Sequence, residues 1–253
     1  MLAQLLDDLR AEHHELLGYV RTTDLDLAVA AEPWDVRDTV SHLMVGNAKA
    51  TLAAADADAF AAELPRAVAD PEGFLDSWLL PGRGLEREDL LRRWDDSLAA
   101  LVEVLADLAP GSKLPWYGPP MSGASTVTAR LMEYWAHGQD VVDALCVRRE
   151  PTLRLRHIAH LGVRTRGFSY AVRGIEPPAG EVRVTLAAPD GSTWEWGEGP
   201  DAVEGSAEDF CLRVTQRRHR ADTGLVATGP LADDWLDHAQ CFAGPPTQGR
   251  SPR

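Results

Sequence analysis

The chain has 253 residues, 45% hydrophobic and 25% charged, which is the make-up of an ordinary globular protein long enough for two domains or one large domain with an appendage. Its 39 acidic residues outweigh 25 basic ones to leave a net charge of -14, which argues against a nucleic-acid partner held by counterion release. No stretch approaches the ~18 uninterrupted apolar residues of a membrane span.

The first seventeen residues, MLAQLLDDLRAEHHELL, carry charges throughout and lack the features of a signal peptide, so a cytoplasmic location is expected. Cys146, Cys211 and Cys241 are odd in number and far apart, and read as reduced thiols. Apolar residues at helical spacing, from Leu2 through Leu9 to Leu16 and Val20, predict a first amphipathic helix over 2–21, with His13 and His14 on its polar side. A second helix is predicted from Trp34-Asp35, with Asp35 as N-cap and Asp38 in the first turn, running through Val40, Leu43 and Met44 beyond Lys49.

Residues 64–85, with Pro65, Pro71 and Pro81, read as an irregular connection holding one short helix. Leu90, Trp94, Leu98, Leu101 and Leu105 share one face of a third helix over about 86–108. After the loop APGSKLPWYGPPMSGAS, Ser125 is expected to cap a fourth helix, STVTARLMEYWAHGQDVVDAL. Four such helices suggest a bundle. Beyond Cys146 the pattern changes to a helix over 153–172 and a hairpin, EVRVTLAAP and STWEWG, turning at Asp190-Gly191. A helix near 206–217, a strand LVATG and a helix ADDWLDHAQCFAG follow. The fold class is therefore α+β: a helical bundle over 1–150, a smaller α+β domain over 151–245, and a disordered tail over 246–253.

The residues with most chemical potential are Glu133 and His137, one helical turn apart, with His42 on the second helix completing a facial set. Two histidines and a carboxylate with an open position suit Zn²⁺ or another divalent metal used as a Lewis acid. The same spacing also describes an ordinary helix-surface pair, and a lone His a hydrogen-bonded core residue. Asp140 can orient His137 or face solvent. Trp116, Tyr117 and Met121 can line a pocket or belong to a packed loop. His157, His160 and His238 read as structural or surface residues. The run Arg217, Arg218, His219 and Arg220 can attract an anion or form a solvated surface. No phosphate-binding loop, serine-hydrolase elbow or dinucleotide fingerprint is present.

The segments PWDVRDTVSHL (33–43) and PWYGPPMSGASTVTARLMEYWAHGQDVVDAL (115–145) resemble the mycothiol-dependent maleylpyruvate isomerase family, a branch of the DinB-like metal-binding four-helix bundles. The resemblance implies a metal, usually zinc, held by His42, Glu133 and His137, with mycothiol or a similar low-molecular-weight thiol as co-substrate at the open position. It implies isomerisation of a small electrophilic acid, or S-transfer to one, with Asp140 orienting His137 and a C-terminal guanidinium, Arg218 or a neighbour, binding the acid. Trp116, Tyr117 and Met121 are expected near the thiol. The C-terminal motif departs from that of the family's isomerase, which leaves the substrate open. The expected partner is a small molecule, with neither nucleic acid nor membrane, and the chain is expected to be a monomer or homodimer. The alternative is a non-catalytic metal- or small-molecule-binding protein of the same fold, or a family member redirected to other chemistry.

Overall fold

A computed structural model describes residues 2–244, 246–247 and 249–252. The chain divides into two compact units, Met1–Arg148 and Arg149–Arg253. In the first, α1 (Leu2–Val20) is followed by α2 (Val36–Ala55), four short helices α3 (Ala57–Ala61), α4 (Leu64–Ala69), α5 (Pro71–Asp76) and α6 (Leu80–Arg83), and then α7 (Arg87–Ala106). A two-stranded ribbon, β1 (Lys113–Leu114) and β2 (Met121–Ser122), leads into α8 (Gly123–Ala144). Helices α1 and α2 each pack against both α7 and α8, which closes a four-helix bundle. Its core is built from the apolar stripes that predicted it, with Leu9, Val40, Leu43, Leu90, Trp94, Leu101, Val127 and Leu131 fully buried.

Three expectations for this unit need correction. The connection over 64–85 is largely helical, because Pro65, Pro71 and Pro81 occupy first turns, where a missing N–H costs nothing, and so start helices instead of breaking them. Helix α8 is capped by Ser122, whose hydroxyl accepts from the Ser125 N–H, and Gly123 and Ala124 extend it backwards. His13 is 1% exposed, not on the surface, since it falls four residues after Leu9 and three before Leu16, on the apolar stripe itself. His14 is exposed as expected.

The second unit holds α9 (Leu155–Arg164), α10 (Arg166–Ala171), β3 (Val182–Ala187), β4 (Thr193–Trp196), β5 (Asp201–Ser206), α11 (Ala207–Val214), β6 (Val226–Thr228) and α12 (Pro230–His238). The sheet order is β4-β3-β5-β6, with β3 and β5 parallel and the outer pairings antiparallel. Val182, Val184 and Leu186 turn one face of β3 inward. The helix expected over 153–172 is broken at Thr165, whose hydroxyl donates back to Leu161 O. The helix expected to run on to Gly244 ends at His238, where Ala239 becomes extended, and it begins earlier, with Pro230 in its first turn. Strand β5 escaped the pattern because Asp201, Glu204 and Gly205 disguise it, and Asp201 earns its place by accepting from the Leu231 N–H at 2.6 Å. Within the stretch 246–253, Thr247 accepts from Arg173 and Gln216, while Gln248 and Arg253 lie outside the described residues. Among the described residues no helix is long and apolar enough to cross a membrane.

Candidate metal centre

The start of α2 organises the site. Asp35 caps the helix by accepting from the Asp38 N–H at 2.7 Å, and the preceding loop is pinned by backbone bonds from Val29 N to Trp34 O and from Val36 N to Leu27 O. One turn on, α2 clamps the segment around α6. Asp38 accepts two hydrogen bonds from Arg83 at 2.7 and 2.8 Å, while Ser41 donates to Trp78 O and accepts from the Gly82 N–H. A Cβ at Gly82 would lie 2.6 Å from Ser41 Cβ, so only glycine permits this approach. The two clamped loops bring Trp34 and Trp78 against the residue that follows Ser41, which is His42.

His42 Nε2 lies 3.2 Å from Glu133 Oε2, and His137 Nε2 lies 3.4 Å from the same oxygen. One ligand atom from each of the three residues falls within 4.8 Å of the others. Asp140, fully buried, has Oδ2 3.3 Å from His137 Nδ1, so residues at i, i+4 and i+7 of α8 form one polar file. The Trp34 ring lies 5.0 Å from His42 and stacks on His137 at 5.5 Å, and Trp78 lies 5.5 Å from His42. Burial pushes His42 down to about 4, so its imidazole is neutral at pH 7. Burial opposes the charge of Glu133 too, but hydrogen bonds with His137 and His42 outweigh it and hold the carboxyl well below the usual range.

Beside this cluster, Arg130 is buried and donates to Leu43 O at 3.1 Å. Burial lowers its pKa, and attraction to Glu133 works against that. A Cβ on Gly46 would stand 2.6 Å from Arg130 Nη1, so this glycine makes the room for the guanidinium.

The donor set fits a divalent cation. Zinc ligands at about 2.0–2.2 Å in tetrahedral array stand about 3.3–3.6 Å from one another, close to the spacing of both imidazoles from Glu133. Two imidazoles and one carboxylate are three protein ligands, the number that catalytic sites use.

Two cavities border the cluster's tryptophans. One, of about 340 Å³, is lined by Trp78, Phe74, Val45, Lys49, Glu63 and Arg66 among others. The other, of about 360 Å³, is lined by Trp34, Pro33, Leu79, Arg66, Asp76 and Arg83 among others. Tyr117 packs on Phe74 and Trp78 and donates to Glu63 Oε2 at 3.3 Å, and Trp116 stacks on Phe60. Met121 pairs with Leu114 in the ribbon. In the second unit Arg218 donates to Arg217 O, and Arg220 is engaged by Asp233 and Asp237.

Residues 6–142 match the family model described as the mycothiol maleylpyruvate isomerase N-terminal domain. The chain belongs to that family. Two proteins of Mycobacterium tuberculosis, the uncharacterized proteins MT0041 and Rv0036c, are each 44% identical to it over 248 residues, 96% of either chain. The crystal structure of the mycothiol-dependent maleylpyruvate isomerase has the same fold, with a TM-score of 0.56 at 14% identity over 92% of this chain and 96% of that one. A histidine-to-alanine mutant of that enzyme gives a TM-score of 0.54 at 16% identity over the same shares. In this member of the isomerase family, sequence reasoning missed Trp78, Arg130 and Arg66. Arg130 alone carried a signal, as an arginine three residues before Glu133 on a strongly apolar helix.

Proposed function

We propose that this member of the isomerase family catalyses thiol-dependent isomerisation of a small cis-unsaturated acid, with zinc or another divalent metal held by His42, Glu133 and His137 and with mycothiol or a similar thiol as co-substrate. The observation that carries the reading is the convergence of two Nε2 atoms on one carboxylate oxygen, beside two tryptophans that each line a cavity. When bound, the cation supplies charge that lowers the pKa of a thiol at its open position. The thiol supplies a reversible nucleophile: sulfur adds to a double bond conjugated with a carbonyl, the carbon–carbon bond rotates, and the electron pair returns from the carbonyl as the thiol leaves.

The chain's own residues fix where this happens. Asp140 accepts from His137 Nδ1 and so commits Nε2 to the centre. Trp34 and Trp78 wall the histidines with apolar surface, which excludes water and strengthens the field of any bound charge. The aromatic group of Trp116 and Tyr117 braces Phe74 and Trp78 from behind, and with Met121 is assigned to the thiol's side of the site.

The test is to supply zinc-loaded protein with maleylpyruvate, with and without mycothiol, and to follow products by NMR. Thiol-dependent appearance of the trans isomer with free thiol supports the proposal. A stable sulfur-bound product identifies transfer instead, and no thiol-dependent turnover contradicts both.

A further inference from the structure

We propose that Arg66 is the substrate-anion ligand of the bundle, binding a carboxylate of the acid while its reacting end faces the histidine cluster. The proposal rests on the preceding reading of the site and adds the residue that selects an acidic substrate.

Three observations meet at Arg66. It lines both cavities, one walled by Trp78 and the other by Trp34, and each of those rings lies against His42. A molecule held in either cavity is therefore within reach of the same guanidinium and one tryptophan from the cluster. Of the three cations lining these cavities, Lys49 is paired with Glu63 at 2.6 Å and Arg83 with Asp38 by two hydrogen bonds. Among the described residues Arg66 has no carboxylate partner: its guanidinium lies 5.9 Å over the Phe74 ring instead. A guanidinium resting on an aromatic face keeps its in-plane N–H donors available, and those donors match a carboxylate in a bidentate fork.

The acidic groups in the cavities do not satisfy it. Glu63 is occupied by Lys49 and Tyr117, and Asp76 acts on Arg83. Of the rest, Ser77 donates its hydroxyl proton to Phe74 O, and Val45, Phe74, Trp78, Trp34, Leu79 and Leu80 supply apolar surface. A cation whose donors no carboxylate engages, set beside aromatic surface, selects a small organic acid over a neutral molecule of the same shape.

The test measures maleate binding by calorimetry to wild type, Arg66→Gln and Arg66→Lys, each with its zinc content determined. Because Arg66 is exposed and pairs with no acid among the described residues, neither variant should unfold. The expected result is about tenfold or more weaker maleate binding in Arg66→Gln, the cost of one charge-assisted hydrogen bond, with partial recovery in Arg66→Lys and zinc content unchanged. Indistinguishable binding in wild type and Arg66→Gln, or no maleate binding by wild type, overturns the proposal. Failure of wild type to take up zinc would instead defeat the metal reading, and the maleate comparison would still decide Arg66.

Discussion

Two clusters around buried histidines occupy the same bundle and share α2 and α8, yet they have opposite chemistry. In one, His13 packs on Trp94 and bonds through Nε2 to Asp95, while the Tyr134 hydroxyl accepts from Trp94 and Asn47. In the other, His42 and His137 aim Nε2 at a single oxygen of Glu133, the residue next to Tyr134. In the first, the two nitrogens that meet on the Tyr134 hydroxyl are N–H donors with no lone pair for a metal, and a single histidine faces a single carboxylate. The second has two nitrogens and one acceptor crowded on a common point, with cavities beyond the flanking tryptophans. Burial alone does not make a histidine a ligand; the number of lone pairs converging on one place does.

This contrast can be broken by exchange of single side chains. The largest effect is expected from Glu133→Gln, which removes the charge at the convergence point and should abolish metal uptake and thiol-dependent turnover while circular dichroism shows the helices intact. Trp94→Ala should do the reverse. It should cost about 3–5 kcal/mol in denaturant unfolding, as removal of a fully buried tryptophan does, and leave metal uptake per folded molecule unchanged.

Asp140→Asn sharpens the comparison by touching the second cluster indirectly. It should weaken metal affinity by about 10–100-fold, measured by chelator competition, with little change in unfolding. The smallest effect is expected from His13. Burial holds its pKa below 6.5 against the opposing pull of Asp95, so between that lowered value and 6.5 the unfolded chain binds more protons. Stability should therefore fall as pH drops from about 6.5 through the lowered value, and His13→Gln should remove that part of the slope in unfolding measured against pH.

Much of this was legible in the sequence because it rests on local rules. The 3.6-residue period of α1, α7 and α8 announced the bundle, and the turn of helix between Glu133 and His137 announced a shared face. What stayed hidden depends on packing between distant segments. Nothing local marks Trp78 as a neighbour of His42, since that contact is set by Ser41 and Asp38 holding the α6 segment. Arg66 was hidden for the same reason, in a proline-rich stretch that turned out to be a chain of short helices. His13 was misplaced because its polarity was weighed above its register, and the register won.

The central claim is that His42, Glu133 and His137 close on one cation with a position left open. Titration of metal-free protein with Co²⁺, followed by its visible absorption, tests this most directly. The account predicts uptake of a single equivalent, a new thiolate-to-cobalt band on addition of mycothiol, and loss of both signals in His42→Ala and His137→Ala. Uptake that survives both substitutions, or no uptake by the wild-type chain, would contradict it.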